Sequence, residues 1–158
     1  MIRPATPDDA AAIHDVHLAA FGREYEARIP GEVDPVISLV AEEDGEVVGH
    51  VLVSWFGLEG SERGVLGLGP IGVLPAHQGR GIGSALVRAA LDGARGLGEP
   101  VVVLEGNPAY YARFGFVRGD EVGLLPPPSA PERAFQAAVL DEAALPEGRV
   151  VYPPAFAP

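Results

Sequence analysis

The stretch Gln78-Gly79-Arg80-Gly81-Ile82-Gly83-Ser84 sets glycines at alternate positions around a guanidinium, immediately before a run of good helix formers. A helix start leaves about four backbone N–H groups without intrahelical partners and carries roughly half a positive charge, so it attracts anions. Glycines at 79, 81 and 83 can take positive φ and fold successive N–H groups into a concave nest, to which Arg80 adds donors for phosphate oxygens. The guest that suits this spacing is a diphosphate. Farther along, "LEGNPAYYARFGF", residues 104–116, carries a carboxyl at Glu105, an amide at Asn107 and phenols at Tyr110 and Tyr111. A phenol of pKa ~10 stays protonated at neutral pH and can donate a proton.

A nest holds its shape only if the helix behind it is anchored. Ile82, Ala85, Leu86, Ala89, Ala90, Gly93 and Leu97 form a stripe at helical spacing, with Arg88, Asp92 and Arg95 pointing away. "VLGLGPIGVLP" before the loop and "PVVVLEG" after the helix read as strands. Strand, helix, strand in that order implies parallel pairing with a right-handed crossover. Upstream, Met1–Ala5 reads as a first strand, and Thr6-Pro7-Asp8-Asp9 as a helix start. Ala10, Ile13, Val16, His17, Ala20 and Phe21 supply that helix's stripe, and Gly22 can stop it. His14 and His17 read as surface or boundary residues. Residues 23–35 are polar and broken by Pro30, Gly31 and Pro35, so any helix there is short. Asp44-Gly45 between two β-rich runs predicts a hairpin. "GLEGSERG" reads as a loop, "NPAYYARFGF" as a short helix, "FVRGDEVGLL" and "RAFQAAVL" as closing strands, and the proline-rich tail as unfit for a central strand.

The 158 residues suit a single domain, 1–158, with 47% apolar and 21% charged residues, close to ordinary globular usage. Cysteine is absent, which removes disulfides, thiolate metal sites and a cysteine nucleophile; four scattered histidines make a poor metal site, so no metal is expected. The net charge is −11 and every basic residue is arginine, which argues against nucleic-acid binding. The start lacks a long apolar segment and no stretch suits a membrane span, so a cytoplasmic protein is expected. "GLGPIG", residues 67–72, satisfies G-x-G-x-x-G but is followed by more strand, and with no lysine there is no Walker loop.

Gln78-x-x-Gly81-x-Gly83 resembles the Q/R-x-x-G-x-G/A acyl-CoA motif of the GNAT superfamily of N-acetyltransferases, and residues 104–116 resemble the second part of that family's acetyl-CoA site. With "LGPIGVLP" and "VVYPPAF", the likeness is to the YhbS-type branch and covers nearly the whole chain. It implies an α/β (α+β) fold: a mixed, mostly antiparallel sheet of about six to seven strands with flanking helices and a central parallel pair that splays to admit the pantetheine arm. It also implies acetyl-CoA as acyl donor and an amine as acceptor.

The cofactor would be held by the backbone of Ile71 and Val73, by Gln78, Gly79, Arg80, Gly81, Gly83 and Ser84, and by Asn107 and Tyr110, Asn107 having a helix-capping role as its alternative. The Val73 N–H would hold the oxyanion, and Tyr111, four residues before Gly115 as in the family, would be the acid. The family's strand glutamate is missing from "VLGLGPIGVLP"; Glu105 is the best-placed substitute base, ahead of Glu59, Glu62 and His50, while His77 reads as solvent-facing. Without that strand acid, a non-catalytic acyl-CoA-binding module is the alternative. Exposed strand edges would allow a homodimer.

Overall fold

A computed structural model describes residues 1–157. The chain divides into two compact units, Met1–Ser54 with Leu68–Asp92, and Trp55–Gly67 with Gly93–Ala157. The first begins with β1 (Ile2–Pro4), a 3-10 turn over Pro7–Asp9, and α1 (Ala10–Phe21). Asp9 ties this entry together, because its carboxylate accepts the Thr6 N–H at 2.8 Å and two Arg3 guanidinium bonds at 2.8 and 2.9 Å. Gly22 ends α1 at φ 74°. Next comes α2 (Glu24–Glu32), a nine-residue helix that holds Pro30 near its end and is anchored by buried Ala27 and Ile29. β2 (Pro35–Glu43) and β3 (Glu46–Leu58) form the hairpin around Asp44-Gly45, both with positive φ as a tight antiparallel turn requires.

β3 and β4 (Ser61–Val73) meet at a turn over Glu59-Gly60, so most of "GLEGSERG" is strand where a loop was expected. Its alternation was hidden by three glycines and by charged side chains that this exposed end of the hairpin keeps in solvent. α3 (Ile82–Gly96) follows β4 and leads to β5 (Val101–Glu105), the predicted crossover. β4 and β5 are parallel, with Leu66 opposite Val102 and Gly67 opposite Val103, where the register ends. The α3 stripe is turned from the one predicted: Leu86, Val87, Ala90, Leu91 and Ala94 are buried, whereas Ala85 and Leu97 are exposed. Alanines scarcely bias a helix's facing, and the larger Val87 and Leu91 decide it.

In the second unit, α4 (Pro108–Tyr111) is followed by β6 (Val117–Arg118), β7 (Leu124–Leu125), β8 (Phe135–Val139) and β9 (Gly148–Val151). Its core gathers Phe56, Val101, Val103, Leu124, Phe135 and Val150. β9 pairs with both β3 and β7, so the tail contributes an inner strand that stops just before Tyr152-Pro153. The strands are hydrogen-bonded in the order β1-β2-β3-β4-β5-β8-β6, with β9 attached through β3 and β7. Among the described residues the sheet thus has nine strands against the six to seven expected; β6 and β7, of two residues each, are too short to leave a period-2 pattern. Pairing is antiparallel except at β4/β5 and β7/β9.

Candidate active site

In the first unit, β4 ends at Val73, and the Leu74 N–H bonds the Val48 carbonyl at 2.8 Å, which pins the strand end to β3. A 3-10 turn over Pro75–His77 then delivers the glycine loop. Gly79 and Gly81 have φ of 79° and 85°, and a Cβ on either would meet no further atom within 4 Å. The demand at both positions is therefore on backbone handedness, alternating across Arg80 as in an anion-binding nest. Gly83 departs from the expectation: it lies inside α3 in helical conformation. The Gly81 carbonyl accepts from the Ala85 N–H at 3.0 Å, so Ile82, Gly83 and Ser84 stand in the first helical turn, where N–H groups lack intrahelical acceptors.

The side chains around the nest are committed among themselves. The Gln78 amide donates to the Val73 carbonyl at 2.9 Å, which fastens the loop to the end of β4. Arg80 reaches Glu43 at 3.3 Å, and His77 bonds the same carboxylate at 2.9 Å, so His77 is engaged with Glu43 where solvent alone was expected. Glu43 was not singled out in the sequence. Its position one residue before the Asp44-Gly45 turn is the only signal, since a hairpin tip carries no mark of what it will lie against. Ile71 is half-buried and Val73 buried on the same strand.

Behind β4, the sequence reading of His17 fails. His17 and His50 are fully buried, and His17 Nε2 lies 2.8 Å from His50 Nδ1. His50 Nε2 lies 2.8 Å from Ser38 Oγ. The register explains the second contact: Ser38 stands opposite Leu52, and His50, two residues on, shares its face of the sheet. The inward stripe of α1 included His17, but a polar residue within it was discounted. Burial lowers both imidazoles, His17 to about 4 and His50 to about 3; Glu26 opposes this at His17 and Asp9 at His50. Both rings are neutral at pH 7.

In the second unit, Asn107 caps α4, its side-chain oxygen accepting from the Ala109 N–H at 3.0 Å. Tyr110 and Tyr111 meet edge to face at 5.0 Å, and the Arg113 guanidinium lies over the Tyr110 ring at 4.5 Å. Tyr111 packs further against Phe114 and Phe116. Its hydroxyl is pushed up to about 12, chiefly by burial. Glu105 sits at the exposed end of β5; desolvation raises its carboxyl and the Tyr152 hydroxyl opposes that rise. Glu59 and Glu62 are exposed around the β3/β4 turn.

Residues 8–116 match the acetyltransferase (GNAT) family. The uncharacterized N-acetyltransferase YhbS of Escherichia coli is 31% identical over 150 residues, 92% of this chain and 90% of that one. YjhQ, an uncharacterized N-acetyltransferase of the same organism, is 34% identical over 116 residues, 68% of this chain; the match spans 64% of YjhQ, just under two thirds. The crystal structure of E. coli YhbS in complex with CoA superposes with a TM-score of 0.92, covering 99% of this chain and 91% of that one. A GNAT family acetyltransferase from Brucella melitensis in complex with acetyl-CoA, 39% identical, gives 0.81 over 99% and 97%. Glycine loop, crossover and sequence likeness agree, and the chain belongs to the acetyltransferase (GNAT) family.

Proposed function

We propose that this chain transfers the acetyl group of acetyl-CoA to a primary amine of a small acceptor. The observation that carries the reading is the pair of left-handed glycines at 79 and 81 leading into the first turn of α3, a cradle that backbone N–H groups can form only with this handedness. The binding of CoA by YhbS and of acetyl-CoA by the Brucella protein supports it. Amides from Gly79 to Ser84 would hold the diphosphate, with Arg80 released from Glu43 to join them. The backbone of Ile71 and Val73 would pair with the pantetheine, a ligand adding itself as a strand.

Attack by the neutral amine on the thioester carbonyl places negative charge on oxygen, and the Val73 N–H is assigned to receive it. One such donor is worth about 3 kcal/mol in a site that excludes water. Tyr111 is assigned to the departing sulfur. With its hydroxyl near 12 and a thiolate near ~8.5, complete proton transfer is uphill by about 5 kcal/mol. Tyr111 therefore serves as a hydrogen-bond donor to the sulfur, and the proton that completes the thiol comes from the amine nitrogen after collapse. Asn107 and Tyr110 would flank the donor. Glu105 is assigned to the acceptor's ammonium.

The test is turnover of acetyl-CoA against a panel of primary amines, with Tyr111→Phe beside the wild type. The expected result is transfer to at least one amine and a roughly 100-fold fall in kcat for Tyr111→Phe, with the acetyl-CoA Kd unchanged. The absence of an acid from the Val65–Val73 part of β4 favours one other reading, a module that binds acyl-CoA without using it. Tight binding with no turnover on any amine would select it.

A further inference from the structure

We propose that the cavity between α1, α2 and the β2–β3 ladder binds a small, uncharged, apolar molecule through a carbonyl oxygen that accepts a hydrogen bond from Ser38. This site is independent of acetyl transfer, since none of the residues assigned to the acyl donor lines it. The cavity measures about 460 Å³, within the roughly 300–1,000 Å³ of small-molecule sites. Small side chains at Ala10, Ala27 and Gly31 leave the room, and Ile13 and Leu52 supply apolar wall. Among the described residues, none with a carboxylate lines it. Its two cationic side chains are matched by acids that do not line it, His14 by Glu24 at 2.9 Å and Arg28 by Glu32 at 3.7 Å. An ammonium or a carboxylate entering the cavity would therefore lack an unspent counter-charge, and burying an unpaired charge is costly. The occupant that fits is neutral.

Ser38 and Leu52 stand opposite each other in the sheet and both face this space. What Ser38 can offer a ligand is decided two rings away, at His17. His17 Nδ1 is buried without a hydrogen-bond partner. It faces Gly72, where a Cβ would come within 2.9 Å of it, so in glycine a Cα hydrogen points towards this nitrogen. A lone pair accommodates that hydrogen, whereas an N–H would set two hydrogens against each other and leave a buried donor unsatisfied. The proton of this neutral ring therefore sits on Nε2, which bonds His50 Nδ1 at 2.8 Å. His50, also neutral, then carries its proton on Nε2 and donates it to Ser38 Oγ at 2.8 Å. Having accepted that bond, the Ser38 hydroxyl has no second partner among the described residues and keeps its own proton to donate into the cavity. A ketone, ester or amide oxygen accepts that proton and brings no charge to the apolar wall.

Acetophenone is the probe, added to the full chain without acetyl-CoA. In ¹H–¹⁵N titrations of the wild type it should shift the backbone amides of Ile13, Ala27 and Ser38 saturably. Benzylamine and benzoate, both charged at pH 7, should bind at least about 10-fold more weakly. Ser38→Ala should weaken acetophenone roughly 5-fold, the worth of one neutral hydrogen bond, and leave ethylbenzene, which lacks the oxygen, unchanged. Ala10→Phe, at an exposed position on the cavity wall, should block both. Long-range ¹H–¹⁵N spectra of the wild type at pH 7 should show His17 and His50 protonated on Nε2. The absence of saturable shifts, equal affinity for a charged probe, a wild-type acetophenone Kd in Ser38→Ala, or either ring protonated on Nδ1 would each overturn the proposal.

Discussion

Replacing Gly81 with alanine isolates the contribution of the nest. Gly81 has φ 85° and nothing beyond its chain neighbours within 4 Å of an added Cβ, so alanine meets no steric obstacle and the whole penalty is conformational. Holding a non-glycine residue in the left-handed region costs about 1–2 kcal/mol. If the loop keeps its shape, that cost falls on stability, a Tm loss of about 2–4 °C per kcal/mol for a chain of this size. If the loop relaxes, an amide turns away from the diphosphate, and a hydrogen bond to a charged group is worth about 1.5–3 kcal/mol, or roughly 10- to 150-fold in Kd. Calorimetry with acetyl-CoA and a thermal melt of the same samples separate the two. Gly96→Ala is the control, since its site is equally open, carries no left-handed φ and lies at the far end of α3. A wild-type Kd in Gly81→Ala without a loss of Tm, the loop having relaxed at no cost to binding, would refute the assignment of the nest to the diphosphate.

Glu43→Gln frees Arg80 and His77 from a carboxylate beside the nest. Exposed ion pairs are worth roughly 0.2–1 kcal/mol, so acetyl-CoA should bind up to about 5-fold more tightly at low salt, with the gain shrinking as salt rises. Asp9→Asn should flatten the acid limb of stability. Arg3 and the Thr6 N–H hold the Asp9 carboxyl well below its ordinary value, so its contribution is present above pH ~4 and fades as pH falls towards the depressed folded value; urea midpoints from pH 7 to 3 report it. Phe135→Ala empties the middle of the second unit's core, where Phe135 is fully buried. It should cost about 3–5 kcal/mol in urea unfolding.

The order strand, loop, helix, strand was legible because its signals are local: glycines at alternate positions, a helical run after them, and an apolar run too short for a helix. The tight turns at Asp44-Gly45 and Gly22 were legible for the same reason, since positive φ demands particular residues. Pairings set by distant partners were not. Nothing in "FVRGDEVGLL" announces that only Val117–Arg118 and Leu124–Leu125 will find ladders, and nothing in the tail announces that β9 will sit between β3 and β7. At the candidate site, the left-handed turns at Gly79 and Gly81 were readable, while Glu43, Ser38 and the His17–His50 contact depend on which strand lies beside which. A histidine in an apolar stripe has the same local sequence whether it faces water or a second imidazole.

The most direct measurement is a crystal structure with acetyl-CoA. Diphosphate oxygens should lie within about 3.2 Å of backbone nitrogens between Gly79 and Ser84, with Gly79 and Gly81 keeping their left-handed φ. A diphosphate seated elsewhere, with these amides facing water, would contradict it.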